Sequence, residues 1–116
     1  MKFKTTRNEI LRNYENVKMC GYYDLQFLLR NHEPIAYTSG IYGWNYDVYN
    51  VYGLTICTGY RSMPGERLEH IGEYEEKADA VCRDYNNYKG AGGYERQCEE
   101  IEKLLKEFCA KNGGRI

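Results

Sequence analysis

Tyrosine stands in for aliphatic residues in this 116-residue chain: thirteen Tyr, three Phe and one Trp are set against seven Ile, eight Leu and four Val. Rings bury large area, but each Tyr hydroxyl needs a hydrogen-bond partner or water wherever it is enclosed. Such aliphatic poverty signals disorder when net charge is high and aromatics are few. Neither condition holds, since 16 Lys plus Arg against 17 Asp plus Glu leave a net charge of -1. That balance excludes a protein living on DNA-phosphate attraction alone, and equally a wholesale acidic mimic of nucleic acid. One domain over residues 1–116 is expected, long enough to bury about two thirds of its unfolded surface without metal or disulfide.

The periodicity predicts an α+β fold. Thr6 and Glu9 have capping-box spacing, and Ile10, Leu11, Tyr14 and Val17 recur at helical intervals, so a first helix is expected from Arg7 to Val17. Asp24 opens a short second helix with the stripe Leu25, Leu28 and Leu29, ended before Pro34. The period then shifts toward 2: Tyr42, Trp44, Tyr46 and Val48 alternate with Gly43, Asn45, Asp47 and Tyr49. Turn chemistry at Asn50 to Gly53 and the run Leu54 to Tyr60 complete an antiparallel hairpin over about 41–60, with Ile35 to Ser39 as a third strand. A ribbon of two strands is marginal in water, so the small sheet of two to three strands must lean on the helices. From Glu66 the stripe Leu68, Ile71, Tyr74, Ala78, Val81, Cys82 and Tyr85 marks what should be the longest helix. Beyond Gly90 to Gly93, Tyr94, Cys98, Ile101, Leu105 and Phe108 mark a last helix ending near Asn112 to Gly114, and the two should form a C-terminal helical hairpin on the sheet.

The catalytic inventory is thin. His32 and His70 are the only imidazoles, and neither falls in an HExxH or H-x-E pattern. Cys20, Cys57, Cys82, Cys98 and Cys109 contain no CxxC pair and suggest neither a disulfide framework nor a zinc ribbon, so they read as reduced thiols. A Cys-His nucleophile pair such as Cys57 with His70 carries little weight, because five Cys and two His would yield some pairing in any chain. The glycine runs at 40–43 and 90–93 lack phosphate-loop spacing. No enzyme, metal or cofactor is expected. Residues 1–13 are basic and polar without an apolar stretch, which suggests a cytoplasmic protein.

Two features point instead to binding. Tyr37, Tyr42, Trp44, Tyr46, Tyr49, Tyr52 and Tyr60 alternate onto both faces of a narrow sheet, so some rings are expected to face a partner. No cation occurs from Ile35 to Tyr60, which favours a protein over nucleic acid as that partner. Glu66, Glu69, Glu73 and Glu76 form one ridge opposite the apolar stripe of the third helix, a shape suited to a basic groove. The expected partner-binding residues are Tyr42, Trp44, Tyr46, Tyr60, Arg61, Glu69, Glu73 and Glu76. The alternative is a nucleotide or single-stranded RNA module built on Arg61 with Tyr60 and the basic Lys2, Lys4, Arg7 and Arg12. Pairing of two copies through the aromatic surface is a further expectation to test.

Several strings carry a resemblance: Lys2 to Arg7, Gly21 to Gln26, Ala36 to Asp47, Thr58 to Arg61 and Tyr74 to Ala78. The chain resembles a group of small proteins encoded on plasmids, conjugative elements and prophages of Gram-positive gut bacteria. The group supplies no catalytic residues to carry over. What the resemblance implies is context, since accessory proteins of such elements are often inhibitors of restriction or CRISPR defence. The resulting expectation is a cytoplasmic inhibitor that occludes a host protein with a basic nucleic-acid-binding surface.

Overall fold

Leu54–Gly59 sets the architecture, because all six of its residues are buried. A strand enclosed on both faces needs cover on both. The computed structural model describes residues 2–21, 25–38, 45–59, 71–83 and 93–115. In chain order they form β1 (Phe3–Thr5), α1 (Arg7–Asn13), β2 (Val17–Gly21), β3 (Ala36–Thr38), β4 (Tyr46–Val51), β5 (Leu54–Gly59), α2 (Ile71–Arg83) and α3 (Gly93–Lys111). The strands make one five-stranded sheet in the order β1-β3-β4-β5-β2. β4 pairs antiparallel with β3 and β5, while β1 and β2 pair parallel with β3 and β5 at the two ends of that order.

Local chemistry explains the element ends. The Thr6 hydroxyl accepts the Glu9 amide at 3.2 Å, and the Glu9 carboxylate takes the Thr5 hydroxyl at 2.8 Å, which fastens the first turn of α1 to the end of β1. That Thr5 bond is the main reason the Glu9 carboxyl titrates below its ordinary value. At the hairpin, Val51 faces Leu54 across Tyr52 and Gly53, whose φ of 49° and 76° are both left-handed, as a type I′ turn requires. Gly meets that demand without strain, whereas Tyr52 is a bulky residue held where only a few per cent of such residues lie.

The sheet separates two cores. On one side Ile10 of α1 packs with Met19, Ala36, Tyr46, Val48 and Cys57. On the other, Leu54 and Ile56 meet Leu25, Leu28 and Leu29, then Tyr74 and Ala78 of α2 and Leu105 and Phe108 of α3. α2 and α3 run antiparallel: Tyr74 meets Phe108 edge-on at 5.6 Å, and the Gln97 side chain donates to the Val81 carbonyl at 2.9 Å.

The α+β expectation holds, and its details change. The sheet has five strands rather than two to three, and it is mixed. The first helix ends at Asn13, where Tyr14 turns extended and Asn16 takes φ 52°; Val17 then begins a strand against β5. Val17 lies at helical spacing from Tyr14, but pairing with the buried strand outweighs propensity there. Leu25, Leu28 and Leu29 are buried as their stripe implies, yet residues 25–31 form successive turns, with Leu29 N bonded to Leu25 O at 2.9 Å and His32 N to Leu29 O at 3.0 Å. Paired strands of the hairpin run from Tyr46 to Gly59, and the expected extension at 41–44 and Tyr60 lies outside the described residues. The longest described helix is α3, with 19 residues against 13 in α2. In α3 Gln97 is buried and Tyr94 exposed, the reverse of the expected stripe, because Gln97 caps two carbonyls of α2.

A close approach at the end of the hairpin gives a direct test. A Cβ at Gly59 would stand 2.4 Å from the Asn45 oxygen and 2.5 Å from the Tyr46 ring, its partner across the ladder. Gly59→Ala is expected to lower the free energy of unfolding in urea by about 1–3 kcal/mol, as overpacking does. Stability equal to the parent's would mean that the Tyr46 ring has room to yield.

Candidate functional site

The amphipathic pattern of α2 turns Tyr74 and Ala78 inward and leaves Glu73, Glu76, Lys77 and Ala80 on the solvent side. Beside this face, α2 and α3 leave a groove of about 430 Å³ with an apolar floor of Ala80, Val81 and Leu104 and a charged rim of Lys77, Lys103, Glu100 and Glu107. Glu73 pairs with Lys77 at 3.0 Å and Asp79 with Arg83 at 2.9 Å, both one turn apart, so cations on the same helix partly balance the ridge.

Of the residues singled out from sequence, the structure brings Glu73 and Glu76 together on this exposed face. Tyr42, Trp44, Tyr60, Arg61 and Glu69 lie outside the described residues. Tyr46 is 3% exposed and fills the core under α1, a correction to its expected place as an anchor for a partner. The cause is the ladder: Tyr46 and Val48 alternate toward α1, a second layer whose helix the sequence indicated but whose position over the hairpin it did not. Tyr37, Tyr49 and Tyr52 are half-buried. Lys2, expected in a nucleic-acid surface, lies over the Tyr37 ring at 5.7 Å and pairs with Asp47 at 3.2 Å.

A second cluster joins parts of the chain that sequence spacing does not connect. Glu102 of α3 accepts a hydrogen bond from the Tyr52 hydroxyl and lies 2.9 Å from His32 Nε2, while Lys106 stands over the Tyr52 ring at 5.5 Å. Burial by itself pushes the Glu102 carboxyl up, but the bonds from Tyr52 and His32 and the nearby positive charge outweigh it and hold the group below its ordinary value. Burial, reinforced by Glu102, pushes the Tyr52 phenol up to about 12. Burial and the same carboxylate push the Cys109 thiol up to about 12. A general base or nucleophile works best with its pKa near the operating pH. These shifts carry Tyr52 and Cys109 away from it, so the cluster ties the hairpin turn and the 25–32 segment to α3 without offering either as a reactive group. No sequence motif announces it, because its three members come from three separate elements.

The C-terminal residues complete that tie. Arg115 N donates to Tyr52 O at 2.6 Å, Asn16 Nδ2 donates to Gly113 O at 2.7 Å, and the Arg115 guanidinium pairs with Glu15. Three of the left-handed residues, Asn16, Tyr52 and Gly113, thus lie along one seam.

Among the described residues no group of three or more His, Cys, Asp or Glu is placed to hold a metal ion, and no helix is long and apolar enough to cross a membrane. No protein-family model matches the chain, and comparisons with curated proteins and with solved structures found no match.

The tie makes a prediction with a sign. Glu102, held below its ordinary value of 4.5, contributes stability present above that pH and lost as pH falls below it. Tyr52, held above its ordinary 10, contributes stability present below pH 10 and lost as pH rises toward about 12. Tyr52→Phe is expected to lose about 1–2 kcal/mol at neutral pH, the range of a hydrogen bond to a charged group. The gap between parent and variant should close on the alkaline side; urea titrations at several pH values measure it, and a gap independent of pH would remove Tyr52 from this role.

Proposed function

We propose that this chain acts by binding another protein, as an accessory factor of a mobile element that occludes a host nucleic-acid-handling defence protein of the restriction or CRISPR type. The observation that carries this reading is the outer face of α2 with its groove. An apolar floor of Ala80, Val81 and Leu104 lies among Glu73, Glu76, Glu100 and Glu107, with Lys77 and Lys103 as the cations nearby. Apolar area gives affinity, while surplus carboxylates select and steer a basic partner surface. The resemblance to plasmid and prophage proteins supplies the biological context, and Tyr42, Trp44, Tyr60 and Arg61 belong to the same proposed surface. With Tyr46 in the core, the helix face takes the larger share of recognition.

Reversing the charge at Glu73 and Glu76 together tests the proposal. In cells carrying a restriction or CRISPR system, expression of the parent should raise transformation by a targeted plasmid, and E73K/E76K should lower that protection about tenfold or more. The same change should leave stability within about 0.5 kcal/mol, since both side chains are on the surface. Equal protection by the double variant would remove α2 from the interface. Absence of protection, with tight filter binding of single-stranded RNA that falls steeply with salt, would replace the reading by the nucleic-acid module.

A further inference from the structure

The described cysteines divide by exposure. Cys20, Cys57 and Cys109 are buried, whereas Cys82 and Cys98 are half-buried. The two accessible thiols come from different helices that share one register. Tyr74 meets Phe108, Lys111 stands over the Tyr74 ring at 5.4 Å, and Gln97 reaches the carbonyls of Val81 and Cys82 at 2.9 and 3.4 Å. Continued along the antiparallel pair, this register sets Cys82 of α2 across from Cys98 of α3.

A third segment fixes the side of the helix pair on which both sulfurs lie. Arg30 Nη1 donates to Cys82 Sγ at 2.8 Å, and Cys98 Sγ donates to Asn31 Oδ1 at 3.6 Å. Arg30 and Asn31 are consecutive residues of one turn, so they gather the two sulfurs at one junction of three elements. The reactive form of a thiol is its anion, and Arg30 places a permanent cation against one of the pair. His32, next along the chain, is occupied by Glu102, which leaves the sulfurs without a third metal-type ligand among the described residues.

We propose that Cys82 and Cys98 form a redox-active dithiol that closes to a disulfide between α2 and α3 on exposure to a disulfide oxidant such as oxidised glutathione. The Cys82 thiolate attacks one glutathione sulfur, forming a mixed disulfide and releasing one glutathione thiolate. The Cys98 thiolate then attacks the Cys82 sulfur of that adduct, forming the intramolecular bond and releasing the second glutathione thiolate. Two protein thiols lose their protons and are oxidised, and one oxidised glutathione is reduced to two glutathione molecules. In a reducing cytoplasm such a bond is a transient signal rather than a permanent staple. Its closure joins the chain into a loop from residue 82 to residue 98 and locks the helix pair that carries the proposed binding face.

The test is incubation of the folded, reduced protein with excess oxidised glutathione, followed by acid quenching, alkylation and intact-mass and peptide analysis. The expected product is a monomer about 2 Da lighter, as loss of two thiol hydrogens requires, with the link at Cys82–Cys98 and the other three cysteines alkylated only after unfolding. Cys98→Ser should stop at a single glutathione adduct on Cys82, and Arg30→Gln should slow formation of the link severalfold while leaving the far-ultraviolet circular dichroism unchanged. Adducts on both thiols without a link, a bond between two chains, or no reaction at either sulfur would each overturn the proposal. So would an Arg30→Gln variant that is folded and oxidises at the parent's rate.

Discussion

Complete burial of β5 is the constraint from which the rest follows. Leu54 and Ile56 point to one side and Cys57 to the other, so a helix layer on one face alone would leave half the strand wet. The chain meets this with α1 above and α2, α3 and the turns at 25–31 below. Cover at the flanks comes from β4 on one side and from β2, paired parallel, on the other. Because β1 and β2 sit at opposite ends of the strand order, α1 must cross the sheet between them, and that crossing places Ile10 over Met19, Val48 and Cys57.

The hairpin turn is the second point of convergence. Tyr52 lies in a left-handed conformation unusual for a ring-bearing residue, and strain of that kind persists only where the surroundings over-determine it. Here they do so from two directions: Glu102 holds the hydroxyl, and Arg115 holds the carbonyl. Such a position resembles the strained residues often found at active sites, but the associated shifts in Tyr52 and Cys109 lead away from neutral pH. The strain is therefore best understood as part of the joint between hairpin, α3 and the C-terminal residues.

These two constraints redistribute the functional surface. Described rings of the hairpin are taken up in the fold: Tyr46 fully, Tyr37 and Tyr49 in part, Tyr52 through its tie to α3. What the described surface offers instead is the outer side of α2 and α3, with its carboxylates, its apolar groove and, at the junction with residues 30 and 31, its accessible thiols. Both proposals draw on this helix pair, through different side chains and with separate readouts.

Local signals were legible in the sequence wherever neighbours in the chain decide the outcome. The Thr6 cap, the two-residue turn at Tyr52 and Gly53, the buried stripe Leu25, Leu28 and Leu29, and the inward Tyr74, Ala78, Ile101, Leu105 and Phe108 all follow from spacing of one turn or one pleat. The acidic face of α2 followed from the same periodicity. Tertiary structure decided what depends on partners distant in sequence. Val17 to Gly21 became a strand because β5 needed a neighbour, Tyr46 turned inward because α1 lies over it, and Gln97 was buried because α2 presented free carbonyls. Periodicity reports which face of an element is apolar but not which elements meet, and a parallel pairing, a helix crossing or a contact from Glu102 to Tyr52 leaves no mark within the few residues that set local preference.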